Sequence, residues 1–504
     1  MRKIGFSTEK YLKAQTKTLL DRIKKFERVY LEFGGKLCYD SHAERVLPGY
    51  KPDAKIKMLK SLKKNIEIVY CVSSKDLKKK VRHDTGLTYD EQTLKDIEEL
   101  HKNSVEVLGI VVTRFEGEPA AKQFIQRVEN LGIKVYIHKE IKGYPKELDL
   151  VVSEKGFGAQ PYIKVNKPLV VVTGAGGGSG KMAFCLSQIY HEHKHGINSG
   201  FAKFETFPVW NLAPSHPVNI AYEAATADIG DRVEVDPYHL KAYGIISSSY
   251  NRDIENFEIM KKILERIIGK KNFMENYRSP TDMGVNMIKE GIINDDIVRR
   301  AAEQEIIRRY FQYKKGFLKG IETKETLERV EALMRKCGLR ESDRKVVIPA
   351  RDAAREGKEK GKGYMGMFCG AAIELPDGRI VKGKNSKLLH AESAAILNAI
   401  KTLGKIPDNI HLLSEKVLKD IIDFKKEVFG IKHANLNVEE TLIALAISAS
   451  ANPIAKAAMK ILKKLKDCEM HTTHMPSEGD EAGLRKLGLR VTTDGIPTIE
   501  YVKR

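Results

Sequence analysis

Apolar runs rich in β-branched residues alternate with segments of helical spacing between residues 8 and 174. The helical segments include an amphipathic opening helix over 8–26 and two crossovers at 90–102 and 118–131. This alternation predicts an α/β fold in which a parallel sheet carries helices on its faces, as in Rossmann-like and P-loop-like domains. The predicted strands are RVYLEF, IEIVYCV, VEVLGIVVT, IKVYIH, LDLVVS and PLVVVTG.

The pattern changes beyond residue 225, where long, charged helical stretches occupy 253–268 and 294–337. The polar, glycine-punctuated segment 340–364 predicts a linker. A second α/β pattern follows, with a hairpin of GMFCGAAIEL and RIVKG, a helix from His390 to Thr402, and the later strands NIHLLS, EMHTT and LRVTTD. The predicted domains are an N-terminal α/β phosphate-loop domain at 1–225, a mostly helical middle domain at 226–345, and a C-terminal α/β domain at 346–504.

A glycine-rich turn follows the sixth predicted strand, in the sequence PLVVVTGAGGGSGKMAFCLSQ. A strand, a glycine loop and a lysine at a helix start form the context of a phosphate-binding loop, because loop amides, helix N-terminus and ammonium can all face the phosphate. Ala175 and Met182 depart from the ATPase pattern. That pattern places glycine at the first of these positions and, at position 182, a Ser or Thr that holds Mg²⁺. We therefore expect binding of phosphate, with ATP or another nucleotide and Mg²⁺ as the predicted cofactor, but not ATP hydrolysis. The alternative is a turn that merely permits close packing.

Polar residues after several strands are expected in one crevice, since the carboxyl ends of parallel strands share an edge of the sheet. Lys181, Lys36 and Glu32 are the predicted catalytic residues. Carboxylates available for Mg²⁺ are Glu154, Asp228 and Asp231. The predicted ligand-binding residues are Gly174, Gly176, Gly177, Gly178, Ser179, Gly180, Gly34, Gly35, Arg114, Arg252 and Asp282. The alternatives are a tight turn for Gly34 and Gly35, and helix capping for Asp282.

Composition limits the class of protein. The chain has 504 residues, of which 42% are apolar and 31% charged, and no run reaches the roughly twenty apolar residues of a membrane helix. Its N-terminus lacks the apolar core of a signal peptide, and its six cysteines form no CxxC pair, so we expect a soluble, cytoplasmic protein. The net charge of +20 is dispersed, which favours a phosphorylated or anionic small molecule over nucleic acid or a membrane as partner. Assembly into a homo-oligomer is left open.

The segments RVYLEFGGKL, FETFPVWN, YNRDIENF and SPTDMGVNMI together resemble the bacterial family catalogued as domain of unknown function DUF 1846, or UPF 0371. The resemblance spans almost the whole chain and implies no activity. It implies three or four parts, the last similar to the cytidine-deaminase fold. In that fold His390 would bind zinc and Glu392 would transfer protons to the bound water. The PCxxC half of the deaminase motif is missing, so His390, His471 and His474 are the metal candidates, and a metal-free scaffold is the alternative.

These patterns lead to one functional hypothesis and two alternatives. The leading one is an enzyme that binds a nucleotide or a phosphorylated small molecule and performs phosphoryl-transfer or ligase-type chemistry. The first alternative is a non-catalytic, nucleotide-responsive binding or assembly protein, which the missing Ser or Thr at position 182 favours. The second is a metal-dependent hydrolase related to the deaminases.

Overall fold

The computed structural model describes residues 3–77, 87–431 and 434–498. The chain forms two compact units. The first unit contains residues 4–223 and 230–302, and the second contains 224–229 and the chain from 303 onward. These bounds differ from the three predicted domains, since the predicted middle region is divided between the two units. None of the helices in the described ranges has the length and apolar character needed to cross a membrane.

The first unit is built on a parallel sheet, as predicted. Its strands are β1 (Arg28–Phe33), β2 (Ile66–Ser73), β3 (Val107–Phe115), β4 (Val135–Lys139), β5 (Leu169–Gly174) and β6 (Ser199–Phe204), together with β7 (Val233–Val235), β8 (Ser248–Tyr250) and β9 (Gly284–Val285). Seven of them pair in the order β4-β3-β2-β5-β1-β6-β9, and every neighbouring pair is parallel. β7 and β8 form a separate antiparallel ribbon. The sheet confirms the mixed α/β class, whereas a specific P-loop fold stays a prediction.

Helices precede, connect and follow these strands, and the last of them continues beyond residue 302 into the second unit. They are α1 (Thr8–Ile23), α2 (Ser41–Val46), α3 (Ala54–Ser61), α4 (Tyr89–Lys102), α5 (Pro119–Asn130), α6 (Leu148–Val151), α7 (Lys181–Lys194), α8 (Pro217–Ala225), α9 (Pro237–Tyr243), α10 (Asn251–Ile268), α11 (Lys270–Asn276), α12 (Pro280–Met283), α13 (Ile288–Gly291) and α14 (Asp295–Leu318). The segment LDLVVS, predicted as a strand, instead contains α6. A short apolar run has no periodicity that separates a buried strand from a buried helical turn, which explains the error.

Both faces of the sheet are covered, so its central strands are almost wholly apolar. Along β2, Val69 and Cys71 join the apolar cluster that includes α7, whereas Tyr70 and Val72 join the cluster that includes α4 and α5. This period-two alternation is what a strand with two buried faces requires. Since β5 leads through the glycine loop directly into α7, that helix begins at the carboxyl edge of the sheet.

The second unit contains a smaller sheet. Its strands are β10 (Gly370–Glu374), β11 (Ile380–Lys384), β12 (Glu469–His474) and β13 (Arg490–Ile496), in the order β11-β10-β12-β13. The helices that follow α14 are α15 (Lys324–Lys336), α16 (Val347–Glu359), α17 (Ala391–Gly404), α18 (Glu415–Glu427), α19 (Val438–Ser448), α20 (Pro453–Ile461) and α21 (Glu478–Lys486). β10 and β11 pair as the predicted antiparallel hairpin. A deaminase-like fold for this unit stays a prediction.

Two predictions for the second unit are wrong. The expected linker at 340–364 contains α16, because Val347, Ala350 and Ala353 share one buried helix face that packs on β10. The expected strand NIHLLS is irregular, although Leu412 and Leu413 within it are buried in the apolar core of the unit. In both segments tertiary packing, and not the local pattern of apolar residues alone, decides the structure.

Candidate functional site

A cavity of about 320 Å³ lies at the carboxyl edge of the large sheet. Volumes of this order suit small-molecule ligands. One wall is polar and comes from strand ends and the start of α7, and the other is apolar and comes largely from α10. The polar wall includes Glu32, Arg114, His138, Ser179 and Lys181, and the apolar wall includes Ile141, Met182, Ile259, Met260 and Ile263. Glu32, Arg114 and the glycine loop therefore lie in one place. This agrees with the expectation that polar residues at the carboxyl ends of parallel strands share one edge of the sheet, which we call the strand-end rule.

The N-terminus of α7 opens into this cavity. Gly180, the residue before the helix, has a left-handed backbone with φ +78° and gives the helix no side-chain cap. The backbone N–H groups of Lys181, Met182 and Ala183 donate to no other described residue, and all three residues line the cavity. Free first-turn amides at the positive end of the helix dipole are a favourable environment for an anion.

The loop glycines divide into two kinds. A Cβ at Gly180 would lie 2.6 Å from Thr113 Oγ1, and a Cβ at Gly174 would collide with the carbonyl oxygen of Cys71. Close packing therefore explains these two glycines. A Cβ at Gly177 or Gly178 would have no neighbour within 4 Å, so packing does not require glycine at either position, although the left-handed backbone of Gly178, with φ +73°, favours glycine there. Their bare backbone leaves room for a ligand to approach the loop.

Lys181 and Glu32 face each other at the base of the cavity. The Lys181 ammonium lies 3.8 Å from Glu32 Oε1 and 3.3 Å from the carbonyl oxygen of Gly176, and the two side chains are 11% and 12% exposed. Glu32 Oε2 is buried and accepts no hydrogen bond from the residues that the structure describes. A buried carboxylate oxygen without a donor is costly, so a ligand donor or a cation would stabilise it.

Glu32 lies near the end of β1, the strand beside β5, and is therefore close to the glycine loop. The carboxylates singled out from the sequence lie elsewhere. Glu154 is exposed and pairs with Lys194, Asp231 pairs with Arg252, and Asp228 belongs to the second unit. Only the strand order shows that β1 neighbours β5, and no local sequence signal reports that order.

The remaining predicted ligand residues are dispersed. Arg114 lines the cavity, with its guanidinium bonded to Ser73 and 3.3 Å from Asp76. Gly34, Gly35 and Lys36 follow β1 but do not contribute to the cavity wall, and the N–H of Gly34 donates to the carbonyl of Phe204. Neither Arg252 nor Asp282 lines the cavity. Arg252 is paired with Asp231, and Asp282 accepts hydrogen bonds from the Arg278 N–H and the Tyr243 hydroxyl.

The sequence did not indicate six polar residues of the cavity lining, which are Thr113, His138, Lys139, Glu140, Tyr144 and Asn256. Burial lowers the pKa of His138 to about 4, so its imidazole is neutral at physiological pH, and its Nε2 lies 3.3 Å from Ser187 Oγ. Burial also raises the pKa of Tyr144, which lines the same cavity. His138 lies near the end of β4, so the strand-end rule could have found it. Nothing in the sequence indicates that α10 supplies the apolar wall.

The second unit contains a separate cluster. His390 Nδ1 lies 2.7 Å from Asp480 Oδ2, and one ligand atom each of His390, Glu392 and Asp480 lie within 4.8 Å of one another. Among the described residues, no other group brings three such atoms together. His471 is fully buried beside Thr492 and Asp494, and the structure does not unite it with His390 and His474. The structure therefore groups His390 with two carboxylates, Glu392 and Asp480, whereas its binding of a metal stays a prediction.

Comparison with known proteins identifies the family. The family described as "Domain of unknown function DUF1846, N-terminal" matches residues 4–338, and the family of its C-terminal counterpart matches residues 342–498. Relatives named UPF0371 protein are 48% identical over 498 residues in Clostridium tetani, 49% over 494 in Clostridium botulinum (strain Alaska E43) and 47% over 498 in Fusobacterium nucleatum. These matches cover 98% of this chain and 97% or 98% of each relative. The chain belongs to the DUF1846 (UPF0371) family, which confirms the resemblance seen in its sequence.

Proposed function

We propose that this DUF1846 protein binds a phosphorylated small molecule in the cavity of its first unit. The observation that carries the proposal is the uncapped N-terminus of α7, which opens with Lys181 into a cavity that also holds Glu32 and Arg114. The amides and the two cations supply the charge and the hydrogen-bond donors that phosphate oxygens accept. Glycines at 177 and 178 leave the loop accessible.

A nucleotide is the ligand class that best uses both walls. Its phosphates would lie at Lys181, and its base or sugar would contact Ile259, Met260 and Ile263. Because Met182 has no hydroxyl, a Mg²⁺ ion would be held chiefly by the phosphates themselves, with Glu32 as a protein ligand. In such a complex Lys181 would stabilise the charge that develops during phosphoryl transfer or ligation. The alternative is a nucleotide-responsive binding protein without turnover.

A thermal-shift screen tests this proposal. The probes are ATP, ADP and inorganic pyrophosphate, each with and without Mg²⁺, on wild type, Lys181→Ala and the matched control Lys194→Ala at the exposed end of the same helix. By mass action, a ligand at a hundred times its Kd stabilises by about 2.7 kcal/mol. We expect wild type and Lys194→Ala to respond and Lys181→Ala to lose the response.

Two results would contradict the proposal: no probe stabilises the wild type, or Lys181→Ala responds as strongly as the control. The melting temperatures of the three proteins without ligand show whether either substitution affects the fold itself. Turnover of the stabilising ligand, followed by phosphate release or product analysis, then separates an enzyme from a binding protein.

The His390 cluster supports a second candidate function, metal-dependent hydrolysis in the second unit. The His390 imidazole and the Glu392 carboxylate suit Zn²⁺ or Mn²⁺, and the Asp480 carboxylate orients the His390 ring. Metal analysis of purified protein tests it. We expect about one ion per chain in wild type and in the exposed-site control His411→Ala, and a loss in His390→Ala and Glu392→Gln. Purified wild type without metal, even after incubation with Zn²⁺ or Mn²⁺, would exclude the candidate.

A further inference from the structure

A second lysine lies beside the cavity, next to Glu32. Lys203 on β6 is the direct register partner of Glu32 on β1. Side chains at paired positions of neighbouring strands project from the same face of a sheet, so both lie on the face that α7 and α10 cover. Glu32 therefore stands between the Lys181 ammonium in the cavity and the Lys203 ammonium beyond it.

Lys203 is itself bound by two carboxylates. Its ammonium lies 2.5 Å from Asp253 Oδ2 and 3.0 Å from Glu205 Oε1, and 4.5 Å from the ring centre of Tyr250. The side chains of Lys203 and Glu205 are each 14% exposed, and that of Asp253 is 19% exposed. We call the five groups Lys181, Glu32, Lys203, Asp253 and Glu205 the charge row.

The charge row contains three carboxyl groups and two ammonium groups, which leaves one excess negative charge in a largely buried place. Burial disfavours such a charge, and a proton on one carboxyl removes it. Glu205 is that carboxyl, because the shorter Lys203 contact goes to Asp253 and leaves Glu205 with the weaker ion pair, and the hydrogen bond donated by the Tyr250 hydroxyl only partly opposes its protonation. Burial, reinforced by the Asp253 charge and opposed by Lys203, raises the pKa of Glu205 to about 7.

Other groups face Glu205 without changing this balance. Burial, followed by the charges of Asp231 and Glu205, raises the pKa of the Tyr222 hydroxyl on α8. Gly284 of β9 presents no side chain, and Glu205 Oε2 would lie 3.7 Å from a Cβ placed there. Arg252 and Asp231 neutralise each other in a neighbouring pair, 2.6 Å apart.

We propose that Glu205 takes up a proton when an anionic ligand binds beside Lys181, so that the charge row makes ligand affinity depend on pH. A phosphate would take the Lys181 ammonium away from Glu32 and add negative charge of its own. The Glu32 carboxylate would then attract the Lys203 ammonium more strongly. The attraction between Lys203 and the Glu205 carboxylate would weaken as a result. Both changes favour the neutral form of Glu205. The inference rests on the proposed phosphate binding and adds to it the uptake of a proton by Glu205.

The direction of the pH effect follows from linkage. Below about pH 7 Glu205 is protonated with or without ligand, so this group leaves the affinity unchanged. Above that pH the complex holds more protons than the free protein, and the affinity falls by at most about tenfold per pH unit, the limit for one proton.

Calorimetry of ATP binding at pH 8, in two buffers of different ionisation enthalpy, counts the protons taken up. Wild type, Glu205→Gln and the exposed control Glu129→Gln are compared, so the protons of ATP itself cancel. We expect wild type and the control to take up a larger fraction of a proton than Glu205→Gln. Equal proton counts in all three proteins would overturn the inference while leaving phosphate binding intact. If wild type binds no ATP, the proposed function and the coupling fail together for this ligand.

A measurement on the ligand-free protein separates the two claims. Infrared difference spectra across pH 6 to 8.5 detect the carbonyl band of a protonated carboxyl. We expect wild type to lose such a band near pH 7 and Glu205→Gln to lack it. If both proteins give the same spectra, Glu205 does not hold the proton and the inference fails, whatever the outcome of ligand binding.

Discussion

Substitution of the loop glycines by alanine separates the two reasons for their presence. Gly180 has φ +78° and would place a Cβ 2.6 Å from Thr113 Oγ1. Gly178 has φ +73° but open space around it, and Gly177 has neither a left-handed backbone nor a close neighbour. The three variants therefore form a series in which strain and collision are added one at a time.

The expected losses of unfolding free energy follow from these distances. A left-handed backbone costs alanine about 1–2 kcal/mol, which is the whole expected effect of Gly178→Ala. In Gly180→Ala the collision with Thr113 adds about 1–3 kcal/mol, the usual cost of overpacking a tight site. Gly177→Ala should change stability by less than about 0.5 kcal/mol, as at other open surface positions.

Urea titration followed by fluorescence measures these differences. Trp210 is the single tryptophan of the chain and lies in the first unit, where its indole N–H donates to the carbonyl of Asn286. Its emission therefore reports unfolding of the unit that contains the loop. The expected order of loss is Gly180→Ala, then Gly178→Ala, then Gly177→Ala. Equal losses for Gly177→Ala and Gly180→Ala would refute both the left-handed backbone and the close Thr113 contact at Gly180.

Two further predictions concern buried charges. Arg344 is 1% exposed and donates to the Glu469 carboxylate at 2.7 Å, so its replacement by alanine should lower the free energy of unfolding by about 3 kcal/mol, whereas replacement of the exposed Arg335 should lower it by less than about 0.5 kcal/mol. Circular dichroism during heating compares the two variants. Equal melting temperatures would contradict this prediction. The pKa of Glu205 rises from 4.5 to about 7 on folding, so the free energy of unfolding of wild type should fall by up to about 3 kcal/mol relative to Glu205→Gln as pH rises through that window. Urea titrations of both proteins at several pH values measure this difference. If both proteins change in parallel with pH, the prediction is refuted.

The sequence predicted those parts of the fold whose signals are local and long. The β-branched runs of β1, β2, β3 and β5, and the helical spacing of α4 and α5, each extend over several residues and agree with their burial. Two kinds of element were beyond such signals. α6 is a single apolar turn, and α16 lies in a polar segment where only Val347, Ala350 and Ala353 mark the buried face.

The candidate site shows the same division between local and distant information. The strand-end rule assembled Glu32, Arg114 and Lys181, because each lies in or after the carboxyl end of a strand of one parallel sheet. It also proposed Lys36, since the rule does not say in which direction a side chain leaves the edge. Arg252, which was expected from a polar loop segment, does not line the cavity either. The apolar wall from α10 and the register of Lys203 with Glu32 depend on packing between segments far apart in the chain, which no short motif records.

The four segments by which the chain resembles its family meet around this site. RVYLEFGGKL contains Glu32, FETFPVWN contains Glu205, YNRDIENF contains Asp253, and SPTDMGVNMI contains Gly284 beside Lys203. Buried ion pairs are poor sources of stability, because desolvation offsets their attraction, and apolar residues of similar volume pack at least as well. The proposed binding of a charged ligand would therefore account better than the needs of the fold for a row of five ionisable groups next to an open helix N-terminus.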